Sequence, residues 1–450
     1  MAEQEVTKTL ARWAVDCTPA DMPEEVRAEG VRTFVNWLGC AVGGAREPTV
    51  DRALAGVRRF AGPEQATVLG RGERLDVLHA ALLNGISSHV LDYDDTHLKT
   101  IIHPAGPVAS AVLAVAELQR VSGQELQAAV TVGVEVACRI GNSVYPEHYD
   151  RGWHITGTTG VFGAAAAVGR LLGLDHQRMT WAFGIAATQA SGFREMFGTM
   201  CKSFHPGRAA QGGALAAFLA EAGFDSSERA IEAPRGFAHV LSTKFDPEEI
   251  LGGLGERWEA ALNSYKPFAC GIVIHPTIDG CIQLRDELGE KVKEIKEVRL
   301  RAHPLVLELT GKREPKTGLE GKFSVFHSAA AALLRGDGSP TAFTDELVNA
   351  PDLVELRRRV EVTTDPAVHE DAVDITVTLN DGRRIERRVE HAIGSLDRPL
   401  SNQELDHKFK GQAAPVLGDA ATERLLELAW RLPELDDAAE IARAAVPAAR

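Results

Sequence analysis

The stretches LQAAVTVGVEVACRIG (residues 126–141) and TGVFGAAAAVGRLLGL (159–174) place apolar residues at helical rather than alternating spacing, with Gly and Ala filling the positions between them. Small residues at those positions let helix backbones approach closely, so both runs predict helices buried among other helices. VLAVAELQRV (112–121) reads the same way. Glu117, Glu135 and Arg139 interrupt these runs, which argues for core helices and against membrane spans.

Working outward, helical patterning holds from the N-terminus to about residue 265 and changes near residue 290. VKEIKEVRLRAHP (292–304) alternates and predicts a strand. In VDITVTLNDGRRIERRVEH (373–391), two alternating runs flank Asn380-Asp381-Gly382, a hairpin signal. FSVFHSAAAALLRG (323–336) and DELVNAPDLVELRRRV (345–360) read as helical. The tail ERLLELAWRLPELDDAAEIARAA (423–445) returns to helix. The expectation is a mainly α protein. Residues 1–267 and 396–450 form a large helical domain, and 268–395 form a smaller α+β lid domain inserted before the C-terminal helices.

Composition bounds the function. At 450 residues, 44% hydrophobic and 25% charged, the chain has a globular balance and room for two domains. Its formal charge, 49 − 63 = −14, predicts no general affinity for nucleic acid or anionic membranes. The six cysteines form no CxxC pair, which gives no zinc knuckle or disulfide framework. The start MAEQEVTKTL has no basic region followed by an apolar core, so the expected location is cytoplasmic.

Four polar clusters carry candidate chemistry. LDYDDTHLKTIIHPAGP (91–107) supplies Asp92, Asp94, Asp95, Thr96, His97 and His103, with Pro104 setting His103 at a helix start. RGWHITGTTG (151–160) places His154 before a Thr/Gly-rich helix start, a plausible carboxylate cradle. FGTMCKSFHPGRAAQGG (197–213) brings Lys202, His205 and Arg208 to a Gly/Pro break. NSYKPFACGIVIHP (263–276) offers Lys266 and His275 at the expected domain boundary. Each has a blander reading: acids capping a helix, a core histidine, a solvated lysine, a buried structural Cys270. No GxGxxG, GxxxxGK[ST] or HExxH occurs. Asp92-Tyr93-Asp94-Asp95 resembles a terpene-cyclase acid motif, but aromatics at 6% are too few to wall a carbocation pocket. The set suits acid–base chemistry instead, with cations holding carboxylates while histidines move a proton.

On FVNWLGCAVGGA (34–45), ALLNGISSHVLDYDDTH (81–97), HPAGP (103–107), GWHITGT (152–158), GTMCKSFHPGRAAQ (198–211), YKPFACGIVIHP (265–276), KFS (322–324) and KFKGQAAPVLG (408–418), the chain resembles the MmgE/PrpD family nearly end to end. That family includes 2-methylcitrate dehydratase, cis-aconitate decarboxylase and iminodisuccinate epimerase. The resemblance implies a helical domain with an α+β lid, an active site in the cleft, a homodimer and no cofactor or metal.

It also implies roles. Asp92 and Thr96 line the site, His103 and His154 handle protons, Lys202 binds a substrate carboxylate and His275 completes the pocket. Lys266 and Arg208 join them on charge and position. His327 stands where the decarboxylases tend to carry a tyrosine after KFS; it is counted as substrate-binding, and its presence argues against decarboxylation. The expected activity is therefore dehydration of a 2-methylcitrate-like polycarboxylate, ahead of iminodisuccinate-type epimerisation and then cis-aconitate decarboxylation. A small-acid binding protein without catalysis is the alternative from another class.

Overall fold

The computed structural model describes residues 5–448, so the outermost residues of the expected helical domain, 1–4 and 449–450, lie outside it. The chain is mainly α, and the described residues form one four-stranded sheet and two small two-stranded ones. The helices that build the site are α1 (Glu24–Gly43), α2 (Val77–Val90), α3 (Ala105–Leu118), α4 (Gly123–Val144), α5 (Ile155–Leu171) and α6 (Cys201–Glu221). Their Gly/Ala content has a direct packing cause. A Cβ on Gly133 of α4 would lie 2.7 Å from the Gly163 carbonyl oxygen of α5, and one on Gly163 would lie 2.5 Å from the Gly133 oxygen. Between α2 and α6, a Cβ on Gly85 would sit 2.6 Å from the Gly207 Cα. Backbone meets backbone at both crossings, and only the missing side chains permit it. The N-terminus of α4 is closed by a capping box, Ser122 with Glu125.

Beyond residue 265 the chain builds α7 (His275–Leu288), α8 (Val325–Arg335) and a mixed sheet. Its strands are β3 (Ile295–Ala302), β4 (Val360–Thr364), β5 (Val373–Leu379) and β6 (Arg384–Val389), in the spatial order β4-β3-β5-β6. Earlier in the chain, β1 (Asp95–His97) pairs antiparallel with β2 (Asn263–Tyr265). The hairpin read at Asn380-Asp381-Gly382 joins β5 to β6, with Gly382 at φ +85°. Strict alternation along β5, with Val373, Ile375, Val377 and Leu379 all inward, explains why it was legible. The helical reading of 345–360 needs correction at its end. The helix stops at Arg357, and Val360 begins β4, which pairs in parallel with β3. The open edge of β3 recruits that segment, and nothing local to it announces the pairing.

Apolar side chains fall into two large clusters. One draws on residues between Val6 and Tyr265 and again between Leu400 and Ala445. The other draws on Phe268 to Val389, together with Cys40, Val90, Leu91 and Tyr93. The tail helix α9 (Asn402–Leu417) lies along α1, where a Cβ on Gly39 would meet the Phe409 ring at 2.9 Å.

Both clusters and the tail meet at the turn after α2. The Leu91 carbonyl accepts from Lys322 Nζ at 2.6 Å, that of Asp92 from Lys266 Nζ at 3.3 Å, and that of Tyr93 from Lys408 Nζ at 2.6 Å. Three successive carbonyls at a helix C-terminus are thus satisfied by ammoniums from three distant segments, where the helix dipole also favours cations.

Candidate active site

Five residues, drawn from all four sequence clusters, line one inner cavity: Asp92, His103, His154, Lys202 and Lys266. Ile101, Tyr149, Phe197, Ile272, Val273, Leu309 and Phe323 supply most of its other walls, with Gly271 and Thr310. Local structure explains the convergence. His103 stands just before α3, His154 is the N-cap of α5, and Lys202 is the second residue of α6. Three helix N-termini therefore bring backbone donors and positive dipole ends to one place, an arrangement that favours anions. Asp92 (φ +51°) and Ile101 (φ +58°) are the non-glycine residues with positive φ among the described residues, and both line this cavity. Such conformations cost about 1–3 kcal/mol each and gather at functional sites.

Lys202 Nζ and Lys266 Nζ each donate to the same oxygen, Asp92 Oδ1, at 2.8 Å. Burial opposes the Asp92 charge, but the two ammoniums outweigh it and hold the carboxyl well below its usual range. One carboxylate supplies a single negative charge to two ammoniums. Burial and its neighbour push Lys202 down, while Lys266 keeps a raised pKa through Asp92 and Asp94 against the same burial. Lys322 and Lys408, also buried, are both lowered to about 8. Asp95 is pushed up to about 7 by burial and by Asp94 beside it. The result is a local excess of positive charge inside a chain of net charge −14.

Hydrogen bonds set the histidine tautomers. His103 Nδ1 lies 2.7 Å from the Asp95 carbonyl oxygen and 3.2 Å from Thr96 Oγ1. A carbonyl only accepts, so Nδ1 carries the proton and Nε2 is bare. His89, which the sequence reading passed over, donates from Nδ1 to Asp94 Oδ2 at 2.6 Å, and its ring centroid lies 4.8 Å from that of His103. Its Nε2 is buried without a hydrogen-bond partner. His154 Nδ1 faces His205 Nδ1 at 2.8 Å. Burial, before any neighbour, holds His89, His103 and His154 below the usual histidine range. Ring nitrogens of these three come within 4.8 Å of one another, a set able to hold a metal ion. Two lysine ammoniums beside it favour an anion instead.

The remaining expected residues stand elsewhere. Thr96 is behind His103, outside the cavity wall. His275 begins α7, buried against Phe268, and is lowered to about 3 by burial and then by Lys266. Arg208 bonds Gln211 and Gln189, and His327 bonds the Ala342 carbonyl. Neither lines the cavity, because α6 turns Arg208 away from it and α8 buries His327 against Phe343. His89 could have been suspected from its place in SSHVLDYDD, five residues before Asp94. Tyr149 and Leu309 carried no signal, and Phe197 and Phe323, although inside FGTMCKS and KFS, were not singled out, since only the tertiary fold brings the four together here.

The inner cavity holds about 30 Å³, room for a water or two. It adjoins an outer vestibule of about 700 Å³ that shares Phe197, Leu309 and Phe323 and is rimmed by Arg151, Arg194 and Lys312. Phe197 and Phe323 stack at 5.8 Å, with Lys202 Nζ 5.3 Å from each ring, and Arg194 reaches Glu308 at 2.6 Å across the vestibule.

Comparison with known proteins assigns residues 8–250 to the MmgE/PrpD N-terminal domain and 268–432 to the MmgE/PrpD C-terminal domain. Among curated relatives, a cis-aconitate decarboxylase of Aspergillus terreus is 27% identical over 465 residues, covering 97% of this chain and 95% of its own. Cis-aconitate decarboxylases of Mus musculus and Homo sapiens are each 26% identical, over 98% and 97% of this chain and 94% of theirs.

Proposed function

The chain belongs to the MmgE/PrpD family, and we propose that it is a lyase that decarboxylates cis-aconitate or a closely similar tricarboxylate, using its own side chains. The observation that carries this reading is the pair of ammoniums on one Asp92 oxygen in a cavity walled otherwise by histidines, by Tyr149 and Thr310, and by apolar groups. Relatives named cis-aconitate decarboxylase over almost the whole chain support it. Their names favour decarboxylation over 2-methylcitrate dehydration, and the proposed order of activities follows them. His327, the residue that weighs against decarboxylation, lies outside the cavity.

In this reading Lys202 and Lys266 hold the carboxylates that are retained. The carboxylate to be lost sits against Ile101, Ile272, Val273 and Leu309, a wall that favours neutral CO₂ over its anionic precursor. The bond from that carboxylate to its methylene carbon breaks, and its electron pair becomes a new C=C bond. The old π pair moves to the carbon alpha to another carboxylate, whose enediolate charge the ammoniums stabilise. A proton then closes that carbon, giving a methylidene-succinate and CO₂, with one proton consumed.

One observation favours a second reading. The bare His103 Nε2 is a base, and decarboxylation needs none; removal of an alpha proton does. Loss of water, as from 2-methylcitrate, or proton return on the other face, as in epimerisation of iminodisuccinate, would use it.

Proton NMR in D₂O with EDTA present separates the readings, with cis-aconitate, 2-methylcitrate, citrate and iminodisuccinate offered to wild type and His103→Ala. Consumption of cis-aconitate with one deuterium gained alpha to a carboxylate is the expected result. Turnover of 2-methylcitrate or deuterium exchange into iminodisuccinate would replace the reaction, and four untouched compounds would leave a binding protein. The homodimer and cytoplasmic setting implied by the family belong to the same proposal, and sedimentation of the purified chain tests the first.

A further inference from the structure

We infer that His205 is a positioning residue that, with His154, forms a two-histidine proton wire from the catalytic cavity to solvent. Two Nδ1 atoms 2.8 Å apart cannot both be bare or, in neutral rings, both carry protons, so one proton lies between them. That single proton fixes the cavity side. If His205 donates it, His154 Nδ1 is bare and its Nε2 carries hydrogen, ready as an acid. If His154 donates it, Nε2 is bare, ready as a base.

The surroundings are built to keep the pair in place. Gly192, at φ +126°, accepts the His154 backbone N–H at 2.9 Å, and its own Cβ, were there one, would sit 3.1 Å from the His205 ring. A Cβ on Gly157 would likewise meet the His205 Cβ at 3.2 Å. Exposure orders the two ends of the wire: His154 is 1% exposed and lines the cavity, while His205 is 6% exposed and does not line it. His205 Nε2 makes no hydrogen bond among the described residues.

A wire answers a chemical need of this site. Burial, then His205, Lys202, His89 and His103, keep His154 from becoming an imidazolium. A neutral imidazole that simply gave up Nε2–H would be left as an imidazolate, an anion that burial of the His154 ring disfavours. The pair avoids both. His154 Nε2–H passes to the substrate carbon as His205 Nδ1–H passes to His154 Nδ1, and a solvent proton binds His205 Nε2. Both rings stay neutral, both tautomers invert, and one solvent proton has been consumed. Once product leaves and bulk solvent reaches the cavity, a solvent proton binds His154 Nε2, the shared proton returns to His205 Nδ1, and His205 Nε2 releases its own to solvent, so the full cycle consumes one proton.

The delivery step rests on the proton chemistry proposed above; the shared proton does not, so the test has two arms. In the first, the full-length free protein is labelled with ¹⁵N-histidine, and long-range ¹H–¹⁵N spectra are recorded. A scalar coupling between one protonated and one bare Nδ1, absent in both His205→Asn and His205→Gln, is the expected result. Two Nδ1 atoms without that coupling in wild type would overturn the wire. In the second arm, turnover of whichever compound responds is followed. His205→Asn, whose amide can meet His154 Nδ1 but has no far nitrogen, should lower kcat about a hundredfold with KM little changed. Added imidazole should restore part of the loss, which a purely structural role would not permit. Unchanged kcat in a folded His205→Asn would overturn the delivery role. Wild type inert to every compound with the coupling present would sink the proposed reaction and keep the wire.

Discussion

Asp92 shows how much a single residue carries. Its backbone sits at φ +51°, its carbonyl and carboxylate both meet Lys266, and the same carboxylate oxygen meets Lys202. Asn tolerates positive φ as readily as Asp, so Asp92→Asn isolates the charge from the backbone. It should cost about 3–5 kcal/mol in urea unfolding, because two buried ammoniums lose their counter-charge. Adding Lys202→Met to that variant should return part of the loss, and a double-mutant cycle measures the coupling. Lys202→Met alone keeps the Lys266–Asp92 pair and so should fold, while raising KM for a tricarboxylate at least about tenfold; a hydrogen bond to a charged group is worth about 1.5–3 kcal/mol. An unaltered KM would remove Lys202 from substrate binding.

At the scale of elements, glycine does two separable jobs. Gly133 allows α4 and α5 to touch: an added Cβ would lie 2.6 Å from Val108 Cγ1 and 2.7 Å from the Gly163 oxygen. Gly382 allows the β5–β6 turn: an added Cβ would meet nothing within 4 Å, but φ is +85°. Gly133→Ala should therefore destabilise by about 1–3 kcal/mol through overpacking. Gly382→Ala should cost about 1 kcal/mol through backbone conformation alone. Chemical denaturation of both variants tests the order, and a Gly382→Ala cost exceeding that of Gly133→Ala would contradict it. The Arg194–Glu308 pair calls for similar restraint. Glu308 is 52% exposed at its side chain, so Glu308→Ala should change kcat/KM by no more than about fivefold. Phe323→Ala removes a ring that separates vestibule from cavity and should change it more.

The whole molecule carries an unusual load of buried neutral histidines. Besides His89, His103 and His154, burial lowers His148, His205 and His327 to about 4 and His275 to about 3. An unfolded histidine gains its proton near pH 6.5, whereas these cannot until far lower, so below 6.5 the unfolded state binds more protons. Stability is then fully present above pH 6.5 and is lost as pH falls toward the folded pKa values. Each such group costs about 1.4 kcal/mol per pH unit in that window. Asp92, held low in the fold, acts in the same direction at still lower pH. The melting temperature should fall steeply between pH 6.5 and 4.5, and a maximum below pH 6 would contradict this accounting. Closure is the other property of the whole. A cavity of about 30 Å³ does not hold a tricarboxylate, so the proposed substrate requires the side chains shared by cavity and vestibule, Phe197, Leu309 and Phe323, to give way.

By itself the sequence determined the helices and the motifs. Periodicity in residues 126–141 and 159–174, alternation in 373–389 and the Asn380-Asp381-Gly382 turn are local properties, written within one or two turns of chain. It also singled out Asp92, His103, His154 and Lys202, through polar clusters that break apolar runs, and Lys266 on charge and position at the expected domain boundary. It could not separate these from Arg208 and His327, which have the same chemistry but face elsewhere, since facing is set by how a helix is rotated against distant neighbours. Strand β4, the Asp94 partner of His89 and the walls Tyr149, Phe197 and Phe323 were likewise decided only by the tertiary structure. Each depends on contacts between segments tens to hundreds of residues apart or, for His89, on the tight turn that folds Asp94 back onto its ring.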